Sequence, residues 1–423
     1  MSGIDDLLDG IPIPRMVRAV QKFQRPRADD IEGDILRGIA SKKLFKSLPP
    51  GASVAVAVGS RGIANLPEVT RIVAREIKMA GCIPFIVPAM GSHGGATAEG
   101  QKALLEHLGI TEDYTGAPIR SNMDVTKVAL SPRFGMPVYI DSLALAADGI
   151  VIINRIKAHP AYAGVYESGL VKMIAIGLGK QKQAEIVHNV GAERMGQFVA
   201  DIGLEALKHI RLIAAIGLIE NAFHETARVE VLRPGEIETA EPDLLLESKR
   251  LAARFYIDEF EVLIIDEIGK EISGAGFDTT IVGRYSSPFL AGGPKIRRVA
   301  VLDITEKSKG YGGGLGMADF TTRRAFNKFD PEQTYPNTMT STFTEGVKIP
   351  MILKNDRQVI QACIRTCNRM DYRDARIIRI KNTLCMEEIL VSENLTDTVR
   401  AHSFMSVLGD PEELLFDAEG NLF

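Results

Sequence analysis

Residues 53–87 read SVAVAVGSRGIANLPEVTRIVAREIKMAGCIPFIV, and this stretch decides the fold. Ser53–Val58 is a short apolar run rich in β-branched residues, too short for a helix and suited to a buried parallel strand. Gly59-Ser60-Arg61-Gly62 ends it. Pro67–Ala80 then sets Val69, Ile72, Val73 and Ile77 on one helical face, with proline at the start. Ile83–Val87 is the next strand. Strand, glycine loop, helix and strand in this order make a βαβ unit.

The pattern continues outward. A loop with Gly91-Ser92-His93-Gly94-Gly95 leads to a predicted helix at Thr97–Leu108. Val138–Ile140, Gly149–Asn154 and Leu212–Leu218 are further predicted strands. The pattern thins over the charged, proline-containing stretch Arg233–Leu251, and a new strand begins at Phe260–Asp266. Val299–Leu302 and Ala375–Ile380 read as strands, and Asp319–Lys328 and Gln358–Asn368 as helices. The expected fold class is α/β in two domains. Residues 1–245 form a mainly parallel, Rossmann-like sheet flanked by helices. Residues 258–423 form a smaller C-terminal α/β domain, with the active site in the cleft. No repeat of 20–50 residues is visible, and Gly310–Gly316 is the one glycine-dense loop. The tail Glu412–Phe423 carries Leu and Phe side chains for docking on the first domain or for assembly.

Composition narrows the function classes. At 423 residues the chain exceeds one ordinary core. A net charge of −4 argues against a nucleic-acid partner. No apolar run reaches the roughly 18 residues that span a bilayer. The acidic start, MSGIDDLLDGIPIP, lacks the basic n-region and apolar h-region of a signal peptide. The four cysteines form no disulfide framework. Cys363 and Cys367, at i and i+4, are two half-buried thiols on one helix face or a metal or redox pair. A reducing, cytoplasmic setting is expected.

Chemistry concentrates where strands end. Ligands of an open parallel sheet bind beyond the carboxyl ends of its strands. Ser60 and Arg61, after the first strand, suit a phosphate or carboxylate, or simply make a tight turn with a surface arginine. His93 sits between glycines, as a general base or as a cap for the helix that follows. His159, with Lys157, follows the strand ending at Asn154. Lys172 is set among Val171, Met173, Ile174 and Ile176, where burial makes an amine a nucleophile or attachment point. His188 lies further along the same segment. The other histidines, His107, His209, His224 and His402, read as structural or solvated. Neither glycine loop carries a dinucleotide fingerprint or a Walker A sequence, and no G-x-S-x-G elbow or H-E-x-x-H helix occurs.

This constellation resembles the lactate racemase family, the nickel-pincer-nucleotide 2-hydroxyacid racemases and epimerases, over roughly residues 10–240. Ser60-Arg61 falls where the family has its substrate-carboxylate arginine, beside the cofactor. His93 and His159 fall at its two catalytic histidines, and Lys172 and His188 at its cofactor-bearing lysine and nickel-ligating histidine. The resemblance implies a nickel pyridinium-3,5-bisthiocarboxylic acid mononucleotide tethered to Lys172, with nickel on His188. It implies racemisation or epimerisation of a small-molecule 2-hydroxy acid, lactate or a larger or more polar one, by reversible hydride transfer, and partner enzymes that synthesise the cofactor. A short insertion between His159 and Lys172 departs from the family. So does the region from Ile268 to Arg284, which lacks the family's Tyr-Gln-x-x-Lys pattern. Lys270 or Arg284 would then supply the second substrate-binding cation. Two other readings stay open: a net oxidoreductase or lyase using the same site, and a non-catalytic binder of an anionic metabolite.

Overall fold

The structure is a computed structural model that describes residues 3–60 and 62–423. The chain is α/β and divides into two compact units. One comprises residues 25–252; the other joins the first 24 residues to residues 253–423.

The 25–252 unit is built on five strands in the spatial order Ile83–Pro88, Ser53–Val58, Gly149–Arg155, Leu212–Glu220, Thr226–Leu232. The first four are parallel and the last is antiparallel. The Ser53–Val58 strand pairs on both sides, so its side chains from Val54 onward are buried. That explains its unbroken apolar run. The helix Leu66–Met79 buries Val69, Ile72, Val73 and Ile77 on the sheet, the face its spacing predicts. Thr97 caps the helix Ala98–His107 by accepting the Gly100 N–H.

Two sequence expectations change here. Val138–Ile140 is strand, but it belongs to a separate hairpin, Val125–Leu130 with Pro137–Asp141, not to the sheet. Over Arg233–Leu251, where the sequence pattern thins, Ile237–Leu251 is one helix despite Pro242 inside it, and the unit ends just after it at Ala252. Proline has no N–H for the carbonyl of Glu238, four residues back. The Tyr166 hydroxyl donates to that carbonyl instead, at 2.8 Å.

The other unit carries eight strands in the order Met351–Leu353, Phe320–Thr322, Lys295–Val301, Glu259–Ile265, Ile377–Ile380, Glu388–Ser392, Met16–Gln21, Met405–Glu412. The first five are mutually parallel and the last three add antiparallel. Residues 3–24, assigned from the sequence to the first domain, therefore lie in this unit. Met16–Gln21 is placed there by pairing with both Glu388–Ser392 and Met405–Glu412. Within Asp319–Lys328, Phe320–Thr322 is strand and only Arg323–Lys328 is helical. Thr321 and Thr322 donate their hydroxyls to Val301 and Leu302 carbonyls of the neighbouring chain segment. Cys363 and Cys367 are fully buried in the core of this unit, and burial raises both thiols. The tail docks on its own unit: Leu414, Phe416 and Leu422 pack on that same core. Among the described residues no helix is long and apolar enough to cross a membrane.

Candidate active site

Adjacent parallel strands deliver the reactive side chains. Val58 is in register with Pro88 on one side and Ile153 on the other. The loops that begin at Gly59, Ala89 and Ile156 therefore leave neighbouring strand ends. Ser60 Oγ and His93 Nδ1 are hydrogen-bonded across two of these loops. Arg61 lies outside the described residues. Asn154, at the end of the third strand, donates to the Gly169 carbonyl at 2.8 Å and so fixes the start of the Lys172 segment.

His159 sits in a closed loop. Lys157 and Ser168 form an antiparallel bridge at its neck, with N–H···O distances of 2.7 and 3.1 Å. Inside, the nearly buried Glu167 carboxylate accepts the His159 N–H at 2.7 Å and the Lys249 ammonium at 2.6 Å. His159 Nδ1 accepts the Ala161 N–H at 3.1 Å. A backbone N–H only donates, so the neutral ring carries its proton on Nε2. The His159 ring lies 4.2 Å, centroid to centroid, from buried Tyr162. The Lys172 ammonium lies 6.0 Å from the centroid of the same tyrosine ring. Burial raises the Tyr162 hydroxyl well above its usual range, and the Glu167 carboxylate adds to this.

Lys172 ends the short helix Leu170–Lys172, which runs straight into a π-helical turn, Met173–Gly177, and then into the helix Lys180–His188. Such wide turns are rare and cluster at functional sites. Here the turn is held by close packing: a Cβ on Gly177 would lie 2.7 Å from the Ala89 carbonyl oxygen. Beneath the helix start, Glu241 accepts the Val171 N–H at 2.9 Å. Burial lifts this carboxyl to about 7, and its Oε1 has no hydrogen-bond partner.

His188 is held neutral. Burial, with the Lys172 charge in addition, lowers the imidazole from 6.5 to about 4. Its Nδ1 is buried and makes no hydrogen bond. Among the described residues no group of three or more His, Cys, Asp or Glu side chains is placed to hold a metal ion.

Residues 16–197 match the model of the lactate racemase N-terminal domain. The likeness is therefore to the lactate racemase N-terminal domain, over residues 16–197 of this chain. The fold is similar to that of the lactate racemase apoprotein from Thermoanaerobacterium thermosaccharolyticum, at 12% identity over 87% of this chain and 94% of that one, with a TM-score of 0.50. No curated protein matches the sequence.

The two candidate cations of the second domain differ in their surroundings. Arg284 donates to the Ile296 and Arg297 carbonyls and to Asp319, which ties it into its own unit. Lys270 places its ammonium 4.7 Å from the centroid of the Tyr311 ring. Sequence reasoning missed four side chains that organise this lactate racemase-like domain: Gln101, Glu167, Lys180 and Glu241. Glu167 left one trace, a lone carboxylate in the run Tyr-Glu-Ser-Gly. Glu241 and Lys180 sit in charged stretches that read as solvated faces, and Gln101 in an ordinary helix.

Proposed function

We propose that the chain is a racemase or epimerase of 2-hydroxy acids that works with a nickel-pincer nucleotide. The observation that carries this reading is the pair Lys172 and His188: an amine close enough to depress a buried imidazole whose Nδ1 has no other partner. The group needs an amine for its tether and a neutral nitrogen for its metal, and the pair offers both. Lys172 would hold the tether and His188 the nickel. When bound, the group supplies reversible acceptance of the hydride from C2.

The rest of the work falls to the chain. Arg61 holds the substrate carboxylate in this reading, by a charge-assisted, bidentate bond. His93, hydrogen-bonded through Nδ1 to Ser60 Oγ, would take the hydroxyl proton on Nε2 in the tautomer whose Nδ1–H donates to that oxygen. His159 would present Nε2–H as a hydrogen-bond donor to the substrate oxygen, keeping its own proton, and the proton taken up by His93 returns from His93 to that oxygen. The buried side chains Met173 and Ile176 of the π turn exclude water from the amine. The cofactor-synthesis enzymes are the protein partners this reading requires.

Protein produced with those enzymes and incubated with a panel of 2-hydroxy acids deuterated at C2 tests the proposal. A racemase returns the label to a product of inverted configuration. Transfer of the label to an external acceptor makes the chain an oxidoreductase instead. Failure of the loaded protein to retain nickel sinks both.

A further inference from the structure

Lys180 is fully buried and takes no part in the proposed chemistry. Its φ of 54° is in the left-handed region, disfavoured for a residue with a side chain. A lysine that is both desolvated and strained is kept in place by what its ammonium holds. It donates to the Pro88 carbonyl at 2.5 Å and to Gln101 Oε1 at 3.0 Å, and pairs with Asp141 at 3.0 Å.

The bond to Gln101 fixes a direction. An ammonium has no acceptor, so it meets the amide oxygen of Gln101 and never the amide nitrogen. That turns Nε2 the other way. There it donates to the Gly91 carbonyl at 2.8 Å and the His93 carbonyl at 3.2 Å. Gln101 is itself fully buried, so a reversed amide would set oxygen against oxygen with no water to compensate. The same loop is tied to the π turn by the Gly91 N–H, which donates to the Gly177 carbonyl at 3.3 Å.

We infer that Lys180, acting through Gln101, is a positioning residue that sets the backbone of His93 against the segment that carries Lys172. The inference rests on the proposed role of His93, and its first readout does not need turnover.

Gln101→Glu is the sharpest probe. A glutamate keeps the size and still accepts from Lys180, but it cannot donate to the two loop carbonyls. Lys180→Met removes the ammonium that orients the amide. Gln181→Ala, at an exposed hydrogen bond on the same helix, touches neither link and serves as the control. Histidine-labelled apoprotein, followed by NMR through a pH titration, reports on His93 directly. Gln101→Glu and Lys180→Met are expected to shift the His93 signals and titration and leave those of His209 and His402 in place. In loaded enzyme both are expected to lower kcat about 10- to 100-fold with KM changed about twofold at most, as for a displaced base. The inference is overturned if folded Gln101→Glu leaves the His93 signals unmoved, or if Gln181→Ala moves them as far. If the His93 signals move while loaded parent enzyme turns over no 2-hydroxy acid, the positioning role stands and the proposed function falls.

Discussion

Oε2 of Glu167 accepts the backbone N–H of His159 at 2.7 Å. Because the same carboxylate holds Lys249, one nearly buried side chain ties the His159 loop to the helix Ile237–Leu251. Glu167→Ala should cost about 1–2 kcal/mol of stability, since it leaves the part-buried His159 N–H without its acceptor. Turnover should drop about 100-fold, because the loop no longer fixes the imidazole. Glu167→Gln keeps an oxygen for the N–H and should lose about tenfold. Urea denaturation and kcat check both; unchanged turnover in the alanine variant would remove Glu167 from the catalytic account.

The tautomer of His159 is open to direct measurement. Its Nδ1 accepts the Ala161 N–H, so 15N spectra of the neutral ring should show Nδ1 unprotonated and Nε2 bearing hydrogen. The opposite tautomer would contradict the donor role given to His159.

Glu241 should print a slope on stability against pH. Burial raises its carboxyl from 4.5 to about 7, so the folded chain holds the proton more tightly than the unfolded chain. Between about pH 4.5 and 7 only the folded state stays protonated, and stability falls as pH rises through that window. Above it the loss levels off at about 3 kcal/mol. Glu241→Gln should lack this slope, so its stability relative to the parent should climb from pH 4.5 to 7. Parallel denaturation curves across that range would show that Glu241 is not buried as described.

The π turn tolerates no side chain at Gly177. Gly177→Ala puts a methyl group 2.7 Å from the Ala89 carbonyl oxygen and 3.3 Å from Met173 Cγ. The expected cost is about 1–3 kcal/mol. Nickel retention by loaded protein should fall with it, because Met173 adjoins Lys172. Full retention would mean that the turn can relax without moving the lysine.

How much of this was written in the sequence depended on the range of the interactions. The strand Ser53–Val58 was legible to the residue because burial on both faces needs an apolar run with no polar break. Ser60 and His93 were legible because loops after neighbouring parallel strands must meet. The π turn was not: Met173–Gly177 is apolar on every side, so no periodicity marks the widened spacing. Lys180 opens the run Lys-Gln-Lys-Gln, whose alternation does not show that Lys180 and Gln183 are buried. Met16–Gln21 has too few residues to show which sheet it joins, and its partners lie at the far end of the chain.

That last pairing sets an order of events in time. Val20 meets Glu388, so about 370 residues must be made after the strand leaves the ribosome before its partner exists. At ordinary synthesis rates that is roughly 20–70 s. Residues 25–252 can fold around their own sheet within this interval. The lysine and histidines proposed for catalysis are therefore in place first. The strand Met16–Gln21 has both of its sheet partners, Glu388–Ser392 and Met405–Glu412, only when the interval ends.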